Sequence, residues 1–108
     1  MNSCETTHGL YNGRFWGTLE RKADLKLVFL LGVNDALTDG APEHYDVYLP
    51  KGVTNRETIQ AVDVFYVTPE NLRVPIMWAL SVVSLRAKGG STEEVEALTA
   101  RCRKRAAV

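Results

Sequence analysis

The stretch FYVTPENLRVP, residues 65–75, separates two apolar patterns that have helical spacing. Thr68 stands before Pro69, and proline disfavours helical geometry in the residue before it, so the first helix is predicted to end there. Pro75 suits the first turn of the next helix, where its missing N–H leaves no bond unmade. Asn71 can bond to carbonyl groups of the preceding helix and replace bonds that the prolines cannot make. The sequence therefore predicts a corner between two packed helices.

Two capping boxes place the helices around this corner. Residues 54–57, TNRE, open a helix with one broad apolar face. Residues 91–94, STEE, open a last helix that is acidic at its start and basic at its end, as the helix dipole favours. From Pro75 onward, apolar residues at helical spacing predict a helix that ends at the glycine pair 89–90.

The first half of the sequence predicts one short helix and one long helix. Asn12 is predicted to cap the short helix, and residues 19–37 are predicted to form the long one, which closes at Gly40. Between residues 25 and 33 the apolar residues nearly encircle the axis, which predicts a helix buried on most sides. A buried strand is the competing interpretation of this run, but its length favours a helix. Gly32 is then expected to let another helix approach closely.

The remaining segments carry weaker signals. Residues 1–9 are polar and are expected to be loosely ordered. Residues 41–53 are predicted to form one long ordered loop, in which residues 45–49 alternate and allow a short extended piece. The whole sequence, residues 1–108, therefore predicts a single all-α domain, a compact bundle of about five helices with one long ordered loop.

Composition argues against several classes of function. Thirteen basic residues balance thirteen acidic ones, so no net charge favours nucleic acid or an anionic membrane. The longest apolar runs fall far short of the ~20 residues that span a bilayer. Residues 1–9 lack the regions of a signal peptide, so we expect a cytoplasmic protein, or a periplasmic one if a leader was removed. The basic cluster at residues 101–105 has no interleaved aromatic residues and is expected to be a solvated helix end.

Several short motifs together form a pattern. They are Gly13-x-x-Trp16-x-x-Leu19, Lys26-x-x-Phe29-x-x-Gly32, the Thr54-x-x-Glu57 cap, Asp63-x-Phe65-Tyr66-x-x-Pro69-Glu70-Asn71 and Val74-Pro75. This pattern resembles an uncharacterised family of small all-helical bacterial proteins. The resemblance spans about residues 10–100, implies an all-helical fold and carries no activity. A weaker likeness to small helical periplasmic immunity proteins rests on size, helix content and two cysteines.

The leading functional hypothesis is a non-catalytic interaction or scaffold protein that binds a protein partner or forms a homodimer. Aromatic rings surrounded by polar groups are typical of interface hot spots, and the side chains of the corner can line a groove. Asp63 lies between two valines, where a buried carboxylate would mark a site. The alternative is that Asp63 faces solvent or bonds to a neighbouring helix end or to Arg73. The candidate partner-binding residues are Tyr45, Tyr48, Asp63, Tyr66, Asn71, Arg73 and Trp78.

Two further hypotheses stay open at this stage. A small metal-dependent or acid–base enzyme would use His44, Asp46, Asp35 and Asp63. An exported immunity-type inhibitor would carry a disulfide between Cys4 and Cys102, although two cysteines without a CxxC motif are more typical of separate thiols. The sequence contains no recognisable nucleophile motif and no phosphate-binding loop. We expect no cofactor and no contact with nucleic acid or membrane.

Overall fold

The computed structural model describes residues 3–20 and 22–108, which fold as an all-α bundle, as predicted. Within these residues a two-stranded antiparallel hairpin precedes six α-helices. The strands are β1 (Thr6–Thr7) and β2 (Leu10–Tyr11), with Thr6 opposite Tyr11 and Thr7 opposite Leu10. The helices are α1 (Gly13–Thr18), α2 (Ala23–Gly40), α3 (Tyr45–Tyr48), α4 (Asn55–Phe65), α5 (Ile76–Ala87) and α6 (Thr92–Ala106).

Helix α5 forms the centre of the core. It packs against α3, α4 and α6, and its fully buried residues include Ile76, Ala79 and Leu80. Helix α2 packs mainly against α4 and α3 and contributes Leu30 and Val33 to the same core. Neighbouring helices therefore surround α5 but cover only one side of α2. The two helices have similar apolar character but differ in how much of their surface is buried.

The predicted corner between α4 and α5 is present, although α4 ends three residues before Thr68 and Pro75 precedes the first turn of α5. Helix α4 ends at Phe65, Pro69–Asn71 form one 3-10 turn, and Pro75 is the N-cap of α5. Asn71 Nδ2 donates a hydrogen bond to the Phe65 carbonyl oxygen at 2.8 Å. This bond satisfies a carbonyl at the end of α4 that has no partner within the helix.

Both predicted capping boxes are present. Thr54 Oγ1 accepts from the Glu57 N–H at 3.1 Å, while Glu57 Oε1 accepts from the Thr54 N–H at 3.0 Å. Ser91 and Glu94 make the same pair of bonds at the start of α6. The bond from the backbone N–H favours the carboxylate and lowers the pKa of both glutamates.

The prediction for the long helix is wrong in two respects. Helix α2 begins at Ala23 rather than at residue 19, because Leu19 is the C-cap of α1. Nor is α2 buried on most sides, since Val28 is 59% exposed, Leu31 47% and Leu25 42%. The packed neighbours α3 and α4 cover only its inner side, to which Leu30 and Val33 belong. Among the described residues no helix approaches Gly32, because a Cβ built there would meet no atom within 4 Å.

The segment 41–53 is more helical than predicted. Pro42–His44 form a 3-10 turn and α3 follows directly, so the extended piece suggested for residues 45–49 is absent. Ser84 Oγ donates to the Asp46 carbonyl oxygen at 3.0 Å. Packing of α3 on α5, fixed by this bond, overrides the alternating pattern.

The N-terminal segment is also not loosely ordered where the structure describes it. Ser3–Glu5 form a 3-10 turn, and the hairpin after it returns the chain towards the corner. Thr7 is buried, and its Oγ1 donates to the Arg73 carbonyl oxygen at 2.6 Å. Long-range hydrogen bonds supply the order that the polar composition does not predict. Residues 1 and 2 lie outside the described residues.

Candidate interaction surfaces

Two of the predicted partner-binding residues stabilise the corner instead. Tyr66 is buried, and its hydroxyl donates to the Val74 carbonyl oxygen at 2.7 Å. Its ring covers Gly13 so closely that an added Cβ would overlap it, and burial raises the pKa of Tyr66. Asn71 is 4% exposed, and its Oδ1 accepts from Arg103 Nε at 2.6 Å.

Asp63 is held by a cluster that joins α1, α2 and α4. Its Oδ1 accepts from Trp16 Nε1 and from Lys26 Nζ, both at 2.7 Å. The Lys26 side chain is 7% exposed, against 44% for Asp63, and its Nζ lies 5.1 Å from the centre of the Trp16 ring. Asp63 therefore neutralises a buried lysine. Of the alternatives for Asp63, pairing with Arg73 is not observed, since Arg73 Nη2 donates to the Ala106 carbonyl oxygen at 3.3 Å.

Tyr48 and Trp78 are the predicted aromatic residues that share a surface depression. This depression has a volume of about 510 Å³ and lies among α3, α5 and α6. The Trp78 ring already contacts its own chain, with the Arg105 guanidinium 4.4 Å and the His8 ring 6.3 Å from its centre. Tyr45 does not join them, because its hydroxyl donates to Asn34 Oδ1.

The other predicted residues fall on separate surfaces. Asp63 and Tyr66 border one depression of about 380 Å³, which also contains Lys26. Asn71 borders another of about 480 Å³ with Arg103. The seven candidates therefore do not form one site. Of the predicted surface of aromatic residues surrounded by polar groups, only Tyr48 and Trp78 lie together.

Three of the four residues of the enzyme hypothesis each pair with a residue outside the set. His44 Nε2 lies 3.7 Å from Glu43 Oε1, Asp46 Oδ2 lies 3.7 Å from Lys88 Nζ, and Asp63 pairs with Lys26. Across residues 3–20 and 22–108, no three His, Cys, Asp or Glu side chains are close enough to hold a metal ion.

The bridge of the inhibitor hypothesis is not formed either. Cys4 is exposed and Cys102 is buried in the core, and no disulfide joins them. Burial raises the pKa of the Cys102 thiol, which keeps it in its unreactive protonated form.

A surface that the sequence interpretation missed lies on α2. Leu25, Val28, Gly32 and Ala36 follow each other at helical spacing on the solvent side of the helix, and Leu31 lies beside them. Phe29 and Met77 line a groove of about 430 Å³ together with Val28, Gly32 and Ala36, and a Cβ built at Gly32 would meet no atom within 4 Å. We call this surface the α2 apolar face; it consists of Leu25, Val28, Phe29, Leu31, Gly32, Ala36 and Met77.

One signal in the sequence points to this face. The apolar residues between 25 and 36 form two stripes, one through Leu30 and Val33 and one through Val28 and Gly32. A chain of this length has few helices to cover both stripes. Periodicity alone, however, does not say which stripe the chain itself buries.

No helix among the described residues is long and apolar enough to cross a membrane. Comparisons with protein-family models, with curated proteins and with solved structures found no match for this chain. The resemblance to a family of small helical bacterial proteins stays a prediction.

Proposed function

We propose that this chain is a non-catalytic interaction protein that binds a protein partner through the α2 apolar face. The observation that carries the proposal is the exposure of Val28, at 59%, between Leu25 and Leu31 on an 18-residue helix. Fully burying one such side chain contributes roughly 1.5–3 kcal/mol relative to leaving it in water. Several of them side by side give a partner a favourable surface to cover, whereas single exposed apolar residues need no explanation.

The polar side chains support binding over catalysis. Asp63, the carboxylate with the strongest claim to a chemical role, is engaged by Lys26 and Trp16. Every buried side-chain nitrogen or oxygen in the described residues has a hydrogen-bond partner. Groups that already hold each other stabilise the fold. In the proposal, the Tyr48 and Trp78 depression is a secondary contact area.

The partner in this proposal is another protein or a second copy of the chain, and nucleic acid and membrane are not partners. The compartment is taken to be the cytoplasm, where cysteines without disulfide bonds are ordinary. Sedimentation over a concentration series separates the two kinds of partner, because only self-association depends on the concentration of this chain alone.

The test uses a photo-crosslinking residue in cells of the source organism. It replaces Val28 in one variant and Val67, which is 77% exposed but lies outside the α2 apolar face, in the control. We expect a discrete covalent adduct from position 28 and none from position 67. Equal adducts from both positions, or none from either, would contradict the proposal.

A further inference from the structure

Three carboxylates border the α2 apolar face. Asp24 precedes Val28 by four positions, Asp35 follows Leu31 by four, and Asp39 follows Ala36 by three. Residues three or four apart are neighbours on a helix surface, so each carboxylate lies beside an exposed residue of the face. All three aspartates are exposed.

This acidic border is unfavourable for the chain alone. Asp35 and Asp39 are four positions apart and carry like charges, so they are unfavourable neighbours on the helix surface. Asp39 also lies in the last turn of α2, at the negative end of the helix dipole, where this helix has no basic residue. The ion pairs among the described residues involve other carboxylates, namely Asp63, Glu43 and Asp46.

The lysines of this region do not compensate the border. Lys26 is buried against Asp63. Lys22 is the N-cap of α2, two positions from Asp24, and residues two apart on a helix do not face each other. The carboxylates therefore leave a negative charge beside the α2 apolar face, although the net charge of the sequence is zero.

We propose that the α2 apolar face binds a basic amphipathic helix of another protein. This inference rests on the proposed function and adds the chemistry of the partner. The apolar stripe of the partner helix lies in the groove, where Gly32 and Ala36 allow close approach, as in other helix-in-groove complexes. Its flanking Lys and Arg side chains face Asp24, Asp35 and Asp39.

A second copy of the chain fits this surface less well. Pairing α2 with α2 brings two sets of these carboxylates into one interface, and like charges across an interface are costly. The basic residues 101–105 of a second copy do not provide the basic amphipathic helix that the surface requires. The apolar residues of α6, such as Val95 and Cys102, are already buried in the core.

The test measures binding of two labelled amphipathic peptides of about 18 residues, long enough to form a helix. One contains only Leu and Lys, the other only Leu and Glu in the same pattern. We expect the full chain to bind the Leu/Lys peptide at least about tenfold more tightly, because a few surface ion pairs supply a difference of this size. Added salt should reduce the preference.

Matched variants assign the preference to the surface. The double variant Asp35→Asn/Asp39→Asn is expected to lose most of the preference for the Leu/Lys peptide. Glu93→Gln/Glu96→Gln changes the net charge equally on exposed positions of α6 and should leave the preference intact. Val28→Ser/Leu31→Ser should weaken binding of both peptides. Binding that survives the serine changes lies elsewhere and overturns the inference.

The remaining outcomes separate the two proposals. Equal binding of both peptides, lost in Val28→Ser/Leu31→Ser, overturns the basic partner while the docking face stands. Self-association that the same serine variant abolishes identifies a second copy as the partner and also overturns this inference alone. A monomeric chain that binds neither peptide overturns the inference, and the crosslinking experiment then decides the proposed function separately.

Discussion

The corner at residues 65–75 and the outer side of α2 differ in where their bonding groups find partners. In the corner, the Asn71 amide and the Tyr66 hydroxyl bond to backbone carbonyls within eight residues of the chain. On α2, Val28 and Leu31 meet solvent although they belong to the same apolar run as the buried Leu30. Bonding between near neighbours is therefore readable from sequence, whereas the covering of a helix depends on everything that packs around it.

The largest expected effect is at the corner. Asn71→Ala leaves the buried Phe65 carbonyl and the Arg103 side chain without their partner, so we expect a loss of about 3 kcal/mol in the free energy of unfolding. Denaturant unfolding measures it. The exposed neighbour Glu70 is the control, and Glu70→Ala should stay within about 0.5 kcal/mol of the parent. Equal effects of the two changes would break the account of the corner.

The cluster of Asp63, Lys26 and Trp16 should show the next largest effect on stability. Asp63→Ala leaves the buried Lys26 ammonium unpaired, and we expect a loss of about 2 kcal/mol, less than for a fully buried pair because Asp63 is 44% exposed. Lys26→Met fills the same space without a charge and should cost less. Thermal or denaturant unfolding of both variants tests the order. A larger loss in Lys26→Met would contradict the role given to Asp63.

These contrasts show how far sequence reasoning reaches in this molecule. The corner, the two capping boxes and the short helix after Asn12 follow from side chains that bond to backbone within a few residues. The hairpin of β1 and β2 does not follow from local bonding, because the bond that orders Thr7 reaches Arg73, which is 66 positions away. The surface on α2 was missed for the same reason, since its exposure depends on the absence of a neighbour.

The exposed side of α2 should tolerate polar residues. For Val28→Ser/Leu31→Ser we expect the free energy of unfolding to change by no more than about 0.5 kcal/mol per substitution. A helix buried on most sides, as the sequence predicted, would lose about 2 kcal/mol or more at each position. Denaturant unfolding of the double variant therefore distinguishes the two descriptions. A large loss in a monomeric sample would show that the face is covered by the chain itself.

Removing one carboxylate from the acidic border should stabilise the free chain. Asp39→Asn relieves an unfavourable interaction with the helix dipole and with Asp35, and we expect a gain of about 0.3–1 kcal/mol. The gain should shrink at high salt. Unfolding curves at low and high ionic strength measure it. A loss of stability would mean that Asp39 already has a favourable partner in the free chain.

The smallest effect concerns acid sensitivity at the capping boxes. The folded-state pKa of Glu57 is lowered from 4.5. Its contribution to the free energy of unfolding is therefore complete above that pH and is lost as pH falls through the lowered pKa. Glu57→Gln keeps the capping bonds without a titrating group. Stability of the parent relative to this variant should therefore decline on acidification. If the difference in stability between the two proteins does not change with pH, the Glu57 carboxylate of the capping box is not the source of the acid sensitivity.

The most direct measurement is the rate at which a small thiol reagent labels a cysteine placed on α2. In a Cys4→Ser background, Val28→Cys reports the outer side of the helix and Val62→Cys, at a position with no exposure, is the buried control. Sedimentation confirms that the sample is monomeric. We expect the cysteine at position 28 to react as fast as an unstructured thiol peptide and the one at position 62 to be protected. Equal protection at both positions in the monomer would contradict it.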